Sequence, residues 1–175
     1  MLYIFSQVLV ALSDIFCIIS MLNKNKKNIM FFLLISTVLF VSHYVCLGAY
    51  TGAVVGIIEI IFLIVMYILE IKEKTRYNAL CSIITIVLTI VLSILTWDTW
   101  LSVLPMVAMI VYLVAMLFTN VVIVKSGTFI RLTLNGIYMF LLKSYLGAGL
   151  SIVILIFTII GIIRDYKSRQ SIKQN

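Results

Sequence analysis

The chain has 175 residues, of which 64% are hydrophobic and 11% are charged. A water-soluble core of this size could not bury so much apolar surface, so the composition excludes a soluble globular domain and predicts that lipid surrounds much of the chain. The net charge of +7 comes from basic clusters between apolar segments, and we expect no nucleic-acid partner.

Seven apolar segments follow one another along the chain, most of them near the length needed to cross a bilayer as a helix. We place them at 2–22, 29–47, 50–71, 79–96, 101–123, 127–142 and 147–163. No Lys or Arg precedes the first segment and Asp14 interrupts it, which favours an uncleaved helix over a signal peptide. The sixth segment is diluted by Arg131, Asn135 and Gly136. We expect 166–175 to be a cytoplasmic tail.

The basic residues indicate how the chain is threaded. Lys143 is the exception among 13 Lys and Arg residues, because the other 12 lie in alternate gaps between segments, in the tail or, for Arg131, close to such a gap. Under the positive-inside rule this pattern places the N-terminus outside and the C-terminus in the cytoplasm. Trp97 and Trp100 flank Asp98 between the fourth and fifth segments. We expect them to anchor the chain at the outward-facing surface of the cytoplasmic membrane.

A short repeat predicts the architecture. Residues 48–53 and 143–148 lie 95 residues apart, share Tyr, Gly and Ala at matching positions, and each join two segments. After three membrane crossings the chain is on the side opposite to where it started, so a second triplet joined directly to the first would be inverted. A linker helix between the two triplets makes them parallel. We therefore expect an all-α membrane protein with a 3+1+3 arrangement: a three-helix bundle at 1–71, a linker with its outer loop at 72–100, and a second bundle at 101–165. Four hydroxyl residues lie on one face of the linker helix, where we expect them to aid packing: Ser82, Thr85, Thr89 and Ser93.

Three stretches carry a family resemblance: His43–Ala53, Leu95–Trp100 followed by Leu104-Pro105, and Gly161–Arg164. With these stretches in order over nearly its whole length, the chain resembles the YgjV family of bacterial inner-membrane proteins. Its 3+1+3 arrangement is similar to that of the SWEET and PQ-loop superfamily of small transporters. The resemblance implies that fold, a place in the bacterial cytoplasmic membrane, and a role in transport.

Asp14 and Glu59 are the sharpest functional candidates, because both lie near the middle of their segments. A carboxylate at that depth costs roughly 2.5–3.5 kcal/mol on insertion scales, so it should face the bundle interior or water. Either acid could bind a proton, a cation or an amine. Alternatively, each is a protonated acid that hydrogen-bonds a neighbouring helix. The single histidine, His43, could relay protons to them or simply pack, and we expect no metal site and no cofactor.

The polar candidates for binding a solute lie on helical faces at seven-residue spacing or close to it. They are Gln7 with Asp14, Ser36 with His43, Asn135 and Tyr138 with Arg131, and Thr158. Arg131 is expected to extend its side chain toward the cytoplasmic surface. Gly48, Gly52 and Gly56 form a small-xxx-small pattern suited to close helix packing.

These features favour a small secondary carrier or facilitator for a small polar solute, coupled to a proton or cation, as a monomer or loose homodimer. The alternative is a non-transporting membrane receptor or assembly subunit with the same fold. No nucleophile with a partner histidine and no phosphate-binding glycine loop occurs, so we do not expect an enzyme.

Overall fold

The computed structural model describes residues 2–73, 75–97 and 99–174, with side chains at 4–73, 76–97 and 99–167. Over this range the protein is all-helical. The α-helices are α1 (Leu2–Leu22), α2 (Lys26–Leu47), α3 (Tyr50–Ile71), α4 (Asn78–Leu95), α5 (Val103–Met116), α6 (Val121–Leu141) and α7 (Tyr145–Gln174), with short 3-10 turns at Thr75–Tyr77 and Trp100–Ser102. Asp98, expected between two anchoring tryptophans, lies outside the described residues.

Five helices are long and apolar enough to cross a membrane: α1, α2, α3, α4 and the Tyr145–Lys167 part of α7. The apolar stretch that contains α5, Trp100–Met116, is shorter, while α6 is 21 residues long and contains Lys125 and Arg131. The outward faces of the helices carry exposed aliphatic side chains such as Ile61, Ile83 and Ile152. A surface of this kind is suited to lipid.

The predicted fifth span, 101–123, is wrong. The structure ends α5 at Met116 and starts α6 at Val121, because the side chain of Asn120 accepts a hydrogen bond from the Val122 amide and caps the new helix. The sixth helix therefore begins six residues before the predicted 127. At the C-terminus, the backbone of the expected tail at 166–175 continues α7 as far as Gln174.

Consecutive helices pack against each other, and two further contacts close the bundle. The closing contacts join α1 to α7 and α3 to α5, while α4 packs mainly on α3 and α5 at the edge. As predicted, one face of α4 turns inward, and Ser82, Thr85, Thr89 and Ser93 are all buried there. The opposite face is apolar and exposed.

The repeat recurs in backbone geometry at two turns. Gly48 and Lys143 both have left-handed φ angles, of 70° and 60°. In the next residue of each turn, the Ala49 amide bonds the Tyr44 carbonyl at 3.0 Å and the Ser144 amide bonds that of Met139 at 2.9 Å. The residues of the second bond lie 95 positions after those of the first, so α2 and α6 end in the same way.

The apolar core is divided between the two ends of the bundle. We call the end where α1 begins, together with the turns at 48–49 and 142–144, the N-terminal face. The end with the turns at 23–25, 72–73, 75–77 and 117–120 is the basic face. Toward the basic face lies a large cluster that includes Met21, Met66, Met116 and Phe62. A smaller cluster built around Tyr44 and Tyr138 lies toward the N-terminal face. Polar side chains lie between the two clusters.

Candidate functional site

A small cavity of about 40 Å³ lies between these clusters, lined by residues from α1, α2, α3, α5 and α6. Its polar lining includes Ser13, Asp14, Ser36, Glu59, Arg131 and Asn135. Four of these, Asp14, Ser36, Glu59 and Asn135, are sequence candidates that come from four different helices. The structure therefore brings together polar groups that the chain keeps up to 121 residues apart.

Asp14 reaches the cavity beside a hydrogen bond that joins α1 to α2. The Ser13 hydroxyl donates to the Ser36 carbonyl at 2.8 Å, and the two hydroxyl oxygens are 3.0 Å apart. This contact fixes the helices at the level of the next residue, Asp14, whose side chain is only 4% exposed. Its Oδ2 atom is buried without a hydrogen-bond partner. A buried, unpaired carboxylate oxygen is costly, so it marks the part of the cavity suited to a ligand.

Glu59 differs from Asp14 because it is already paired. Arg131 Nη1 on α6 forms an ion pair with Glu59 Oε1 on α3. The Thr37 hydroxyl lies 3.3 Å from the same carboxylate oxygen, and the guanidinium carbon is 4.7 Å from the centre of the Tyr112 ring. Four helices, α2, α3, α5 and α6, thus meet at one buried ion pair.

The expectation that Arg131 extends to the cytoplasmic surface is wrong. Its residue is only 6% exposed, and it lies ten residues into α6. Placing the start of α6 at 127 had put Arg131 within about one helical turn of the surface, where a long cation can reach water. In the structure, the carboxylate of Glu59 and the face of Tyr112 supply the charge compensation that water would otherwise give.

Gln7, His43, Tyr138 and Thr158 do not line the cavity. His43 Nδ1 lies 2.8 Å from the Ser6 carbonyl, and its Nε2 atom has no hydrogen-bond partner. Gln7 Nε2 reaches only the Ser6 hydroxyl, at 3.5 Å. The Thr158 hydroxyl bonds the Ile154 carbonyl of its own helix at 2.8 Å. These three side chains are buried, and their described bonds do not connect them to Asp14 or Glu59.

Tyr138 instead contributes to an aromatic layer on the N-terminal side of the cavity. Its ring meets the ring of Tyr44 edge to face, with centroids 5.8 Å apart, and Phe40 packs on Tyr44 at 4.9 Å. Gly52 makes room for this pair, since a Cβ atom there would lie 3.2 Å from both tyrosine rings. The layer joins α2 to α6 through ring contacts.

Charged side chains hold the helices together at the basic face, a feature that sequence reasoning missed. Lys26 lies 3.7 Å from Glu70 and donates to the Phe118 carbonyl at 3.3 Å. Buried Lys125 pairs with Asp165 at 2.7 Å. In the sequence, the positive residues in these gaps indicate only topology. The available signal was an acid at the end of each third apolar segment: Glu70 near the end of α3 and Asp165 just after the apolar part of α7.

Arg164 adds a contact between the first and last helices at the same face. One of its guanidinium nitrogens donates to the Leu22 carbonyl at 2.7 Å and lies 3.3 Å from Asp165. Leu22 is the last residue of α1, so the cation binds a helix end whose carbonyls lack partners within the helix. No group of three or more His, Cys, Asp or Glu residues within the described part of the chain could hold a metal ion.

Comparison with known proteins identifies a family over almost the whole chain. The family model Imp-YgjV, described as a bacterial inner membrane protein, matches residues 4–169. This match confirms the YgjV resemblance. No curated protein and no solved structure matches the chain.

Proposed function

The chain belongs to the Imp-YgjV family of bacterial inner membrane proteins, and from that premise we propose that it is a secondary carrier or facilitator for a small polar solute. The observation that carries the proposal is the cavity midway along the helices, where an unpaired carboxylate from α1 faces amide and hydroxyl groups from other helices. A buried polar group at membrane depth is expensive to retain unless it has a use. Binding a solute there is such a use.

In this proposal the protein has two parallel halves, α1–α3 and α5–α7, joined by α4 in a SWEET-like 3+1+3 arrangement. The helix contacts support it, because exchanging the halves converts the α1–α7 contact into the α5–α3 contact. Close packing supports it too. A Cβ atom on Gly56 would meet Val41, and one on Gly136 would meet Ser151. Gly136 lies 95 residues after Val41, and Ser151 lies 95 residues after Gly56. The two pairs therefore occupy matching positions, with the glycine on the opposite helix of each pair.

The solute would then bind between the halves. The Glu59–Arg131 ion pair crosses from the first half to the second beside the cavity. Two layers separate this site from the ends of the bundle: the Tyr44–Tyr138 ring pair toward the N-terminal face and the cationic contacts toward the basic face. Opening one layer while the other stays closed would give alternating access.

The contacts at the basic face have the placement that such a closure requires. Lys26 of the first half binds the Phe118 carbonyl just beyond α5, and Arg164 of the second half binds the Leu22 carbonyl at the end of α1. Each half therefore contributes a cation to the end of the first helix of the other half. The alternation of basic residues along the sequence supports a cytoplasmic location for this face and an outside location for the N-terminus.

Transport in reconstituted vesicles tests the proposal. The purified protein is placed in liposomes and the uptake of small polar solutes, charged and uncharged, is compared with that of empty liposomes. We expect uptake of at least one solute class, and a loss of about tenfold in Asn135→Ala, which removes an amide from the cavity. Asn28→Ala, at an exposed asparagine, is the matched control and should transport normally.

Two results would count against a carrier. One is no uptake of any solute above the level of empty liposomes; the other is equal uptake by Asn135→Ala and the parent protein. If the protein instead retains a second membrane protein through purification and moves no solute, it fits the alternative of a receptor or assembly subunit. The proposal includes no catalytic step.

A further inference from the structure

Among the described residues, Asp14 gives the cavity a buried carboxyl group that is not paired with a cation. The cavity lining contains two acids and one cation, and the cation, Arg131, is already paired with Glu59. Asp14 is 4% exposed, and its Oδ2 atom has no partner. We infer that the cavity binds a small organic cation through its ammonium group, with Asp14 as the counter-ion; this inference rests on the proposed function and specifies its solute.

The other cavity residues favour an ammonium group over a metal ion. A metal cation takes about six or more oxygen ligands when it leaves water. Here the hydroxyls of Ser13 and Ser36 are already engaged with each other and with a backbone carbonyl. An ammonium group needs only three acceptors, and Asp14 with the Asn135 amide provides oxygens of that kind. The aromatic rings of Phe40 and Tyr44 also line the cavity, and such rings attract organic cations.

The volume of the cavity limits the size of the ligand. At about 40 Å³, it has room for roughly three water molecules, since each needs about 10–15 Å³ measured in this way. Methylammonium and ethylammonium fit this limit. Choline, with three methyl groups on its nitrogen and a hydroxyethyl arm, exceeds it.

Binding can be measured on the full-length protein in nanodiscs by thermal unfolding at constant ionic strength. We expect methylammonium to raise the unfolding temperature, and choline and sodium chloride to leave it unchanged. Asp14→Asn keeps the shape of the side chain but removes its charge, so it should weaken methylammonium binding by about 10- to 100-fold. Glu73→Gln, the same change at an exposed loop acid, should bind methylammonium like the parent protein.

The inference is overturned if choline or sodium stabilises the parent protein as strongly as methylammonium does. That comparison uses only the parent protein, so it holds even where Asp14→Asn does not fold. Equal stabilisation of Asp14→Asn and the parent protein overturns it as well. Vesicle uptake separates the two proposals: methylammonium binding without transport refutes the carrier and keeps the cation site, whereas transport of a neutral solute without methylammonium binding does the reverse.

Discussion

The Glu59–Arg131 ion pair predicts an asymmetric response to mutation. Both residues are 6% exposed, and removing one partner of a buried pair costs about 3–5 kcal/mol. In Glu59→Leu the guanidinium stays charged but keeps the Tyr112 ring, which contributes up to about 2 kcal/mol to a desolvated cation. We therefore expect Glu59→Leu to lower the free energy of unfolding by about 3 kcal/mol, at the lower end of that range.

The reverse change should be milder, because a carboxyl group can take up a proton and a guanidinium does not release one. In Arg131→Met, Glu59 can become neutral and still bond the Thr37 hydroxyl, which lies 3.3 Å from it. We expect a loss of about 1–2 kcal/mol, close to that of one buried hydrogen bond. The double variant contains no unpaired charge and should fall within about 1 kcal/mol of the parent protein.

The assay is reversible unfolding in mixed micelles, with the free energy of unfolding measured for both single variants and the double variant. A double-mutant cycle then gives the coupling energy of the pair, for which we expect at least about 2 kcal/mol. Thr133→Val is a useful control, since this hydroxyl bonds only the Phe129 carbonyl of its own helix. Losses that simply add in the double variant, or a larger loss for Arg131→Met than for Glu59→Leu, would refute the reasoning.

Three further variants test the packing and the turns, each by the same unfolding measurement. Gly56→Leu should destabilise the protein by more than about 2 kcal/mol, because even a Cβ atom would collide with Val41 Cγ2; a loss of stability below about 0.5 kcal/mol would mean that the helices separate easily. Asp165→Asn leaves buried Lys125 without its carboxylate at 2.7 Å and should cost about 3 kcal/mol; no change in stability would contradict this pairing. Lys143→Gly should stabilise by about 1 kcal/mol, since φ is 60° at Lys143 and a left-handed conformation strains residues other than glycine; a destabilised variant would contradict that strain.

Helix boundaries were predictable where polar residues mark them and not where they are sparse. The bounds of α3, Tyr50–Ile71, agree with the prediction, because a glycine-containing turn precedes the helix and a charged loop follows it. Between α5 and α6 the chain is apolar on both sides of Asn120, and that single capping residue gave the boundary. A lone asparagine in such a stretch is also compatible with a continuous helix.

That boundary error explains why the most important pairing was missed. With α6 starting at 127, Arg131 lies near the surface and the cavity holds two free acids. With α6 starting at Val121, Arg131 lies halfway along the helix and neutralises Glu59. Asp14 and Asn135 were found because depth alone selects them. The depth of a residue in the membrane does not show which charged residues pair with each other. The pairing here depends on a contact between α3 and α6, whose two residues are 72 positions apart in sequence.

The two layers that separate the cavity from the ends of the bundle differ in chemistry. In the proposed carrier, this difference indicates which layer opens more readily. Toward the N-terminal face, α2 meets α6 through the rings of Tyr44 and Tyr138, and an aromatic pair contributes about 0.5–1.5 kcal/mol beyond its buried area. Toward the basic face, opening must separate Lys26 and Arg164 from carbonyl oxygens. A hydrogen bond to a charged group contributes about 1.5–3 kcal/mol when it is shielded from water, as at the buried Lys26, and less at Arg164, whose bond is exposed to solvent. In the proposed carrier, the layer toward the N-terminal face should therefore open more readily than the contacts at the basic face.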